Sequence, residues 1–270
     1  VLEAVHKASK EGIVDPIFIG NKTLTLQYAS ELGFQIRPES IIDEPNDTAA
    51  SKLAVSLIRE GKADLLMKGM VTTAVLLKAV LDKENGLRVG DTLSHLAVFE
   101  SPYYHKLIGV TDAAMNVAPE FHEKVAIINN AVEAMRGIGI DKPKIAIIGP
   151  VEVVNPKIES TVHAAMLTQM NRRGQIANCL IDGPLALDNA VSKEACAQKK
   201  IVTEVGGDAD ILVAPELNAG NIMYKSMAFL GGAVLAAAIL GARCPIVLTS
   251  RADSEETKLL SIAFAAAMMK

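Results

Sequence analysis

Apolar residues fall into short runs of strand length, separated by longer segments in which they recur at helical spacing. The runs are PIFIG at 16–20, ADLLMKG at 63–69, SHLAVFE at 94–100, KLIGVTD at 106–112, KIAIIG at 144–149, IANCLID at 176–182, ADILVAP at 209–215 and CPIVLTS at 244–250. Between most of them, NDTAASKLAVSLIREGK, VTTAVLLKAVLDKE, PEFHEKVAIINNAVEAMRGIG and KIESTVHAAMLTQMNRRG predict amphipathic helices. This alternation predicts a parallel α/β sheet with helices on both faces. No repeat, low-complexity stretch or Gly/Ser linker interrupts it. The helix predicted from Pro119 to Gly137 is the longest and separates two blocks of strands, which suggests two α/β domains meeting at a cleft, although the pattern alone equally allows one large sheet.

Composition narrows the picture. Half of the 270 residues are hydrophobic but only 4% are aromatic, and Trp is absent, so the core is aliphatic, as strands buried on both faces require. A net charge of -4 gives no basic field for a polyanion, so nucleic acid is not expected as a partner. Cys179, Cys196 and Cys244 are too few and too scattered for a disulfide framework or a CxxC metal site, and read as small buried side chains. The longest apolar stretch, GGAVLAAAILGA, is too short to span a bilayer, so no membrane is expected and the chain is placed in the cytoplasm. The sequence opens at Val1 with a helical pattern already under way, VLEAVHKASKEG, and a preceding strand is expected upstream.

Polar chemistry collects where strands end. LTSRADSEE, 248–256, ends an apolar run on a hydroxyl, a guanidinium and a carboxylate, which suits either a polar loop with a helix cap or a ligand site at a strand's carboxyl end. In PELNAGNIMYK, 215–225, Asn218 is placed to cap a helix whose first amides, next to Ala219 and Gly220, would cradle an anion; Asn221, Tyr224 and Lys225 follow at helical spacing. In GPVEVVNPKIEST, 149–161, Asn155 and Pro156 read as ordinary helix initiation, whereas Glu152 has no such explanation. Asp182 precedes a Gly183–Pro184 turn. Lys68, Thr72, Thr73 and Lys78 surround another strand-to-helix junction, and Ser94 and His95 open a strand, where a lone histidine reads as structural. GxSxG, Walker and GxGxxG motifs and His metal spacing are all missing, which weakens hydrolase, NTPase and nicotinamide-dehydrogenase readings together.

Taken in order, LSHLAVFE, KLIGVTDAAMNVAP, VEVVNPKIESTVHAAML, IDGPLALDNAVS, ADILVAPELNAGNIMYKS and PIVLTSRADS resemble the phosphate acetyl/butyryltransferase family, closer to its butyryltransferase branch. The resemblance implies two α/β domains with mostly parallel sheets, like isocitrate and isopropylmalate dehydrogenases, a homodimer, and an active cleft between domains. On that pattern residues 1–115 with 240–270 form one domain and 116–239 the other. The implied reaction is reversible acyl transfer between acyl-CoA and inorganic phosphate, with coenzyme A as substrate and no obligatory cofactor or metal. Arg251 and Ser250 match the family's Ser-Arg pair, one as a fork for phosphate oxygens, the other as a hydroxyl donor at the reacting centre. Asn218, Asn221, Lys225, Thr72, Thr73, Lys78 and Ser94 are further candidates for phosphate or CoA. Where the acetyl branch carries an Asp seven residues after the Ser, this chain has Thr257; two arginines of that branch correspond to Phe229 and Lys78. If the last helix starts near Asp253, that carboxylate lies one turn before Thr257 and could take the thiol proton, or it could simply cap the helix with Glu256. Rival readings are a phosphate acetyltransferase, a metal- and nicotinamide-dependent hydroxy-acid dehydrogenase of the related fold, and a silent CoA-binding protein.

Overall fold

The computed structural model describes residues 1–90, 92–249 and 253–269. In chain order the elements are α1 (Leu2–Lys10), β1 (Phe18–Gly20), α2 (Lys22–Glu31), β2 (Ile41–Asp43), α3 (Asp47–Arg59), β3 (Leu66–Met67), α4 (Thr73–Val80), β4 (Ser94–Glu100) and β5 (Ile108–Thr111). There follow α5 (Phe121–Gly137), β6 (Lys144–Ile148), α6 (Glu159–Arg172), β7 (Leu180–Leu185), α7 (Leu187–Val191), α8 (Lys193–Gln198), β8 (Ile211–Val213) and α9 (Leu217–Phe229). β9 (Val234–Leu240), β10 (Ile246–Val247) and α10 (Glu255–Ala267) complete the chain. The α/β alternation and the long α5 stand as the hydrophobic pattern predicts. Among the described residues, no helix is long and apolar enough to cross a membrane.

The chain divides into two compact units, Val1–Gly90 with Ala236–Lys270, and Asp91–Leu235. In the first, β1 and β2 pair in parallel, and β3, β10 and β9 lie side by side in that order, β10 parallel to β3 and antiparallel to β9. The returning α10 packs on α1 through Leu259 and Ile262 against Ala4 and Ala8. Ser261 ties α10 to β9 by accepting from the Ala237 amide at 3.0 Å.

In the second unit the order is β4-β5-β8-β6-β7, with β5, β8, β6 and β7 parallel and β4 antiparallel to β5. Val110, Leu212 and Ala146 sit in register across its centre and are fully or almost fully buried. β4 and β5 therefore belong to the sheet of the second unit: β5 pairs directly with β8. The sequence-based boundary at 115/116 would have cut through this sheet, and strand pairing instead joins residues 94–111 to β8 and, through it, to β6 and β7. Two strands escape the sequence pattern. β2 is three residues long, and β9, VLAAAIL, is an Ala-rich run whose periodicity fits a buried helix as well as a strand.

At the amino ends of β6 and β8 a charged network braces the connection from β4 to β5. The Asp208 carboxylate meets Lys144 Nζ at 2.6 Å, His105 Nε2 at 2.8 Å and Lys106 Nζ at 3.1 Å, while Lys106 also reaches Asp210 at 2.8 Å. The Tyr104 hydroxyl donates to the Ala209 carbonyl at 2.9 Å. Burial would raise the Asp208 pKa, but the hydrogen bonds from Lys144, His105 and Lys106 outweigh it and hold the carboxyl well below the usual carboxylate range.

A folded-state pKa below the unfolded one stabilises the protein fully above the unfolded value, about 4, and the contribution is lost as pH falls through the folded value. Asp208→Asn is therefore expected to cost about 1.5–3 kcal/mol at pH 7, the range of hydrogen bonds to charged groups. Urea unfolding between pH 3 and 7 checks this: the variant should lose less stability than the parent below pH ~4, where Asp208 of the parent's unfolded chain takes up a proton while the folded carboxylate stays ionised.

Candidate functional site

In the second unit, polar turns gather at the carboxyl ends of β5, β6 and β8, and the antiparallel β4 brings its amino end to the same edge. This is where open α/β sheets hold ligands. β5 ends at Thr111, and the next residue, Asp112, organises the turn DAAMN. Its carboxylate accepts from the amides of Ala114 at 2.8 Å, Met115 at 2.9 Å and Asn116 at 3.3 Å, and from the Asn116 side-chain amide at 2.5 Å. Asn116 Nδ2 also donates to the Leu93 carbonyl at 2.8 Å, fixing the turn to the start of β4.

The first turn of α9 sits directly on this structure. A Cβ on Gly220 would lie 2.1 Å from the Asp112 carbonyl oxygen, so position 220 admits no side chain at this approach. Asn221 Nδ2 donates to the Ala113 carbonyl at 3.0 Å and locks the same contact. One turn on, the Tyr224 ring meets His95 edge-on, with centroids 5.8 Å apart, and Phe99 at 5.6 Å. His95 is 7% exposed, and its Nδ1 has no hydrogen-bond partner. Burial lowers its pKa against the opposing pull of Asp112, so the ring is neutral near pH 7.

The helix start differs from the sequence-based expectation. Glu216, not Asn218, caps α9: its carboxylate accepts from the Asn218 and Ala219 amides, each at 2.8 Å, and from Asn218 Nδ2 at 2.8 Å. The longer Glu side chain reaches the amides from one residue before the helix, and leaves Asn218 as its second residue. The predicted anion cradle is thus already filled by a carboxylate. Burial would raise the Glu216 pKa, but the Ala219 and Asn218 hydrogen bonds and the charge of Lys124 bring it below the usual range. Lys124 is itself buried, with Nζ 3.0 Å from His163 Nδ1; burial lowers its pKa while Glu159 and Glu216 pull it back up.

The other sequence candidates fall in different places. Ser94 is fully buried and accepts from Asn130 Nδ2 at 3.0 Å, so its hydroxyl serves the packing of β4 on α5. Lys225 is exposed on α9. In the first unit, Thr72 caps α4, accepting from the Val75 amide at 3.4 Å; Thr73 is the first residue of that helix and Lys78 lies in its last turn, all three exposed. Lys68 Nζ donates to the Gly69 and Val71 carbonyls, both at 3.1 Å, and closes the loop before α4. α10 starts at Glu255 with Ser254 as its cap, which accepts from the Thr257 amide at 3.0 Å and donates to its hydroxyl at 3.0 Å. Asp253 therefore precedes both the cap and the helix, so the helix does not start at Asp253 as expected, and its carbonyl receives Lys258 Nζ. Ser250 and Arg251 lie outside the described residues.

Asn155 does not start α6, which begins at Glu159; its Oδ1 accepts from the Lys157 amide at 3.0 Å and closes a turn instead. Glu152 finds its explanation in Lys199, 3.5 Å away, which also pairs with Asp188 at 3.1 Å. The three cysteines are free and buried, and burial pushes the thiols of Cys179 and Cys244 up to about 11 and about 12, which keeps them protonated. Asp112, Asn116 and Glu216 went unnoticed as organisers. The signal for the first two was present, an acid at a strand end with an amide four residues later. Glu is not among the favoured capping residues, which hid Glu216 behind Asn218.

A mostly parallel sheet with side-chain-anchored polar turns at its strand carboxyl ends defines an α/β protein of the kind that binds ligands at that edge. The chain belongs to the phosphate acetyl/butaryl transferase family, whose model matches residues 40–266. It is 48% identical over 266 residues to a phosphate butyryltransferase of Clostridium acetobutylicum, covering 98% of this chain and 88% of that protein. It is 43% identical over 266 residues to a phosphate acetyltransferase of Thermotoga maritima, covering 98% of this chain and 90% of that protein. Among solved structures, a branched-chain phosphotransacylase from Enterococcus faecalis superposes with a TM-score of 0.86 at 37% identity, covering 99% of this chain and 94% of that one.

Gly220→Ala is expected to cost about 1–3 kcal/mol by overpacking and to displace α9 from the Asp112 turn. Glu216→Ala should cost about 0.5–2 kcal/mol through the lost cap, whereas Glu216→Gln should keep most of that stability. Thermal denaturation of the three variants checks the order; a Gly220→Ala protein as stable as the parent would show that the close approach is not required.

Proposed function

We propose that the chain is a phosphate acyltransferase of the butyryl or branched-chain kind, exchanging a short acyl group between coenzyme A and inorganic phosphate. The observation that carries this reading is the similarity to a phosphate butyryltransferase over almost the whole chain. The site in the second unit supports it, because its turns are built from side chains anchored to the backbone and are thus held rigid before substrate arrives. In the reaction a phosphate oxygen attacks the thioester carbonyl, charge builds on the carbonyl oxygen, and the CoA thiolate leaves. In this scheme Arg251 grips phosphate oxygens with its planar fork and Ser250 donates to the developing oxyanion. Lys225, Asn221 and Asn218 on α9, and Thr72, Thr73 and Lys78 around α4, are the proposed contacts to phosphate or CoA. With Glu216 already capping α9, substrate phosphate relies on cationic side chains more than on that helix end.

The working form is proposed to be a homodimer in the cytoplasm, where three unpaired cysteines and a CoA substrate are at home.

The test is phosphate-dependent release of free thiol from a panel of acyl-CoAs. Butyryl-CoA or a branched-chain acyl-CoA should exceed acetyl-CoA in kcat/KM; acetyl-CoA ahead of both would assign the chain to acetyl transfer. Reduced-nicotinamide absorbance appearing with hydroxy acids would instead support a dehydrogenase.

Arg251→Ala should lose most activity and Arg251→Lys should recover little, since lysine keeps the charge but not the bidentate geometry. Ser250→Ala should lower kcat about 100- to 1,000-fold, the effect of removing one oxyanion donor. Near-normal turnover in Arg251→Ala would remove that residue from the site.

A further inference from the structure

Among the described residues, His95 Nδ1 is the buried side-chain nitrogen or oxygen that lacks a hydrogen-bond partner. Such an atom is costly, because burial removes its water and nothing in the protein replaces it. Its position is fixed from several sides. His95 is the second residue of β4, its carbonyl accepts from Thr111 Oγ1 at 2.9 Å, and its ring lies edge-on to Tyr224, with an interplanar angle of 72°. The surrounding polar groups do not meet the need, since the Asp112 carboxylate takes four hydrogen bonds from its own turn. An imidazole in want of a partner thus stands at the edge of the sheet where the polar turns gather.

We propose that His95 is a catalytic residue of the acyl transfer, carrying the proton between phosphate and the CoA sulfur. The proposal rests on the acyltransferase reading above. From acyl-CoA, a hydrogenphosphate oxygen forms a bond to the acyl carbon and gives its proton to the imidazole. The C–S bond breaks with its electron pair on sulfur, and the imidazolium returns the proton to the thiolate. The ring ends neutral, and the reverse direction uses the same steps backwards. The burial that keeps the ring unprotonated near pH 7 suits it to accept first. The ionisable groups set against it are Asp112 from the end of β5 and Tyr224 from α9; Phe99, on its own strand, does not titrate.

The test compares the parent with His95→Asn, whose amide sits near the place of Nδ1 but neither takes up nor releases a proton at neutral pH. Phosphate-dependent thiol release should fall about 100-fold or more in kcat, the usual scale for a lost general acid–base. KM should stay within threefold, and added imidazole should restore part of the turnover of His95→Ala. A fall in kcat of less than tenfold, or no response to imidazole, overturns the assignment. Should both variants fail to fold, imidazole-labelled parent protein decides by NMR, with His95 assigned by replacing the other four histidines. Inorganic phosphate should raise the pH at which His95 titrates, and an unmoved titration rejects the proposal. A parent protein without turnover on any acyl-CoA strikes the acyltransferase reading and this proposal together; parent turnover matched by His95→Asn strikes His95 alone.

Discussion

The site in the second unit depends on one close approach, the backbone of Gly220 against the carbonyl of Asp112. The two residues are far apart in sequence and meet because β5 and β8 are neighbours, so that the turn after one strand and the helix after the other must share space. A Cβ at position 220 would come within 2.1 Å of that oxygen, so only a residue without a side chain fits. With α9 seated, Asn221 reaches the Ala113 carbonyl and Tyr224 lies over His95 and Phe99. The Asp112 carboxylate fixes the other partner by collecting the amides of its own turn. Geometry at this edge is therefore set by backbone packing and by the buried Asp112 carboxylate, which the protein itself satisfies.

This electrostatic arrangement bears on a reaction between two anions. The amino end of α9, which would ordinarily attract phosphate, is occupied by Glu216, and Lys124 balances that charge from α5. A fixed carboxylate there disfavours random anion capture and leaves recognition to side chains with defined donor geometry. The chain's net charge of -4 agrees with local recognition, since no broad positive field draws the substrates in.

The sequence revealed the fold's class because its strands are nearly continuous apolar runs and its helices keep a clear period. α5 is the plainest case, burying Ile127, Ile128, Ala131, Val132 and Met135 on one face. β9 was not readable as a strand, since VLAAAIL carries no periodicity to separate strand from buried helix. At the strand-end turns, the local roles read from the sequence differ from the contacts that the fold makes. Asn218 has the better capping residue type, yet Glu216 has the reach; Asp253 has the right charge, yet Ser254 takes the cap. Ser94 opens the right strand but faces Asn130, and His95 beside it, set aside as structural, has the unsatisfied nitrogen. Local residue preferences cannot resolve such one-residue differences, because they are decided by partners brought in from elsewhere in the fold. The LTSR stretch stood out by chemistry alone, as an abrupt polar end to a buried strand.

The central claim is that this chain makes acyl phosphate from acyl-CoA, and phosphorus NMR observes that product directly. Butyryl-CoA and inorganic phosphate incubated with the protein should yield a new acyl phosphate resonance that grows in step, one for one, with free thiol. Thiol released while the inorganic phosphate signal stays unchanged would mean hydrolysis of the thioester, and would contradict the account.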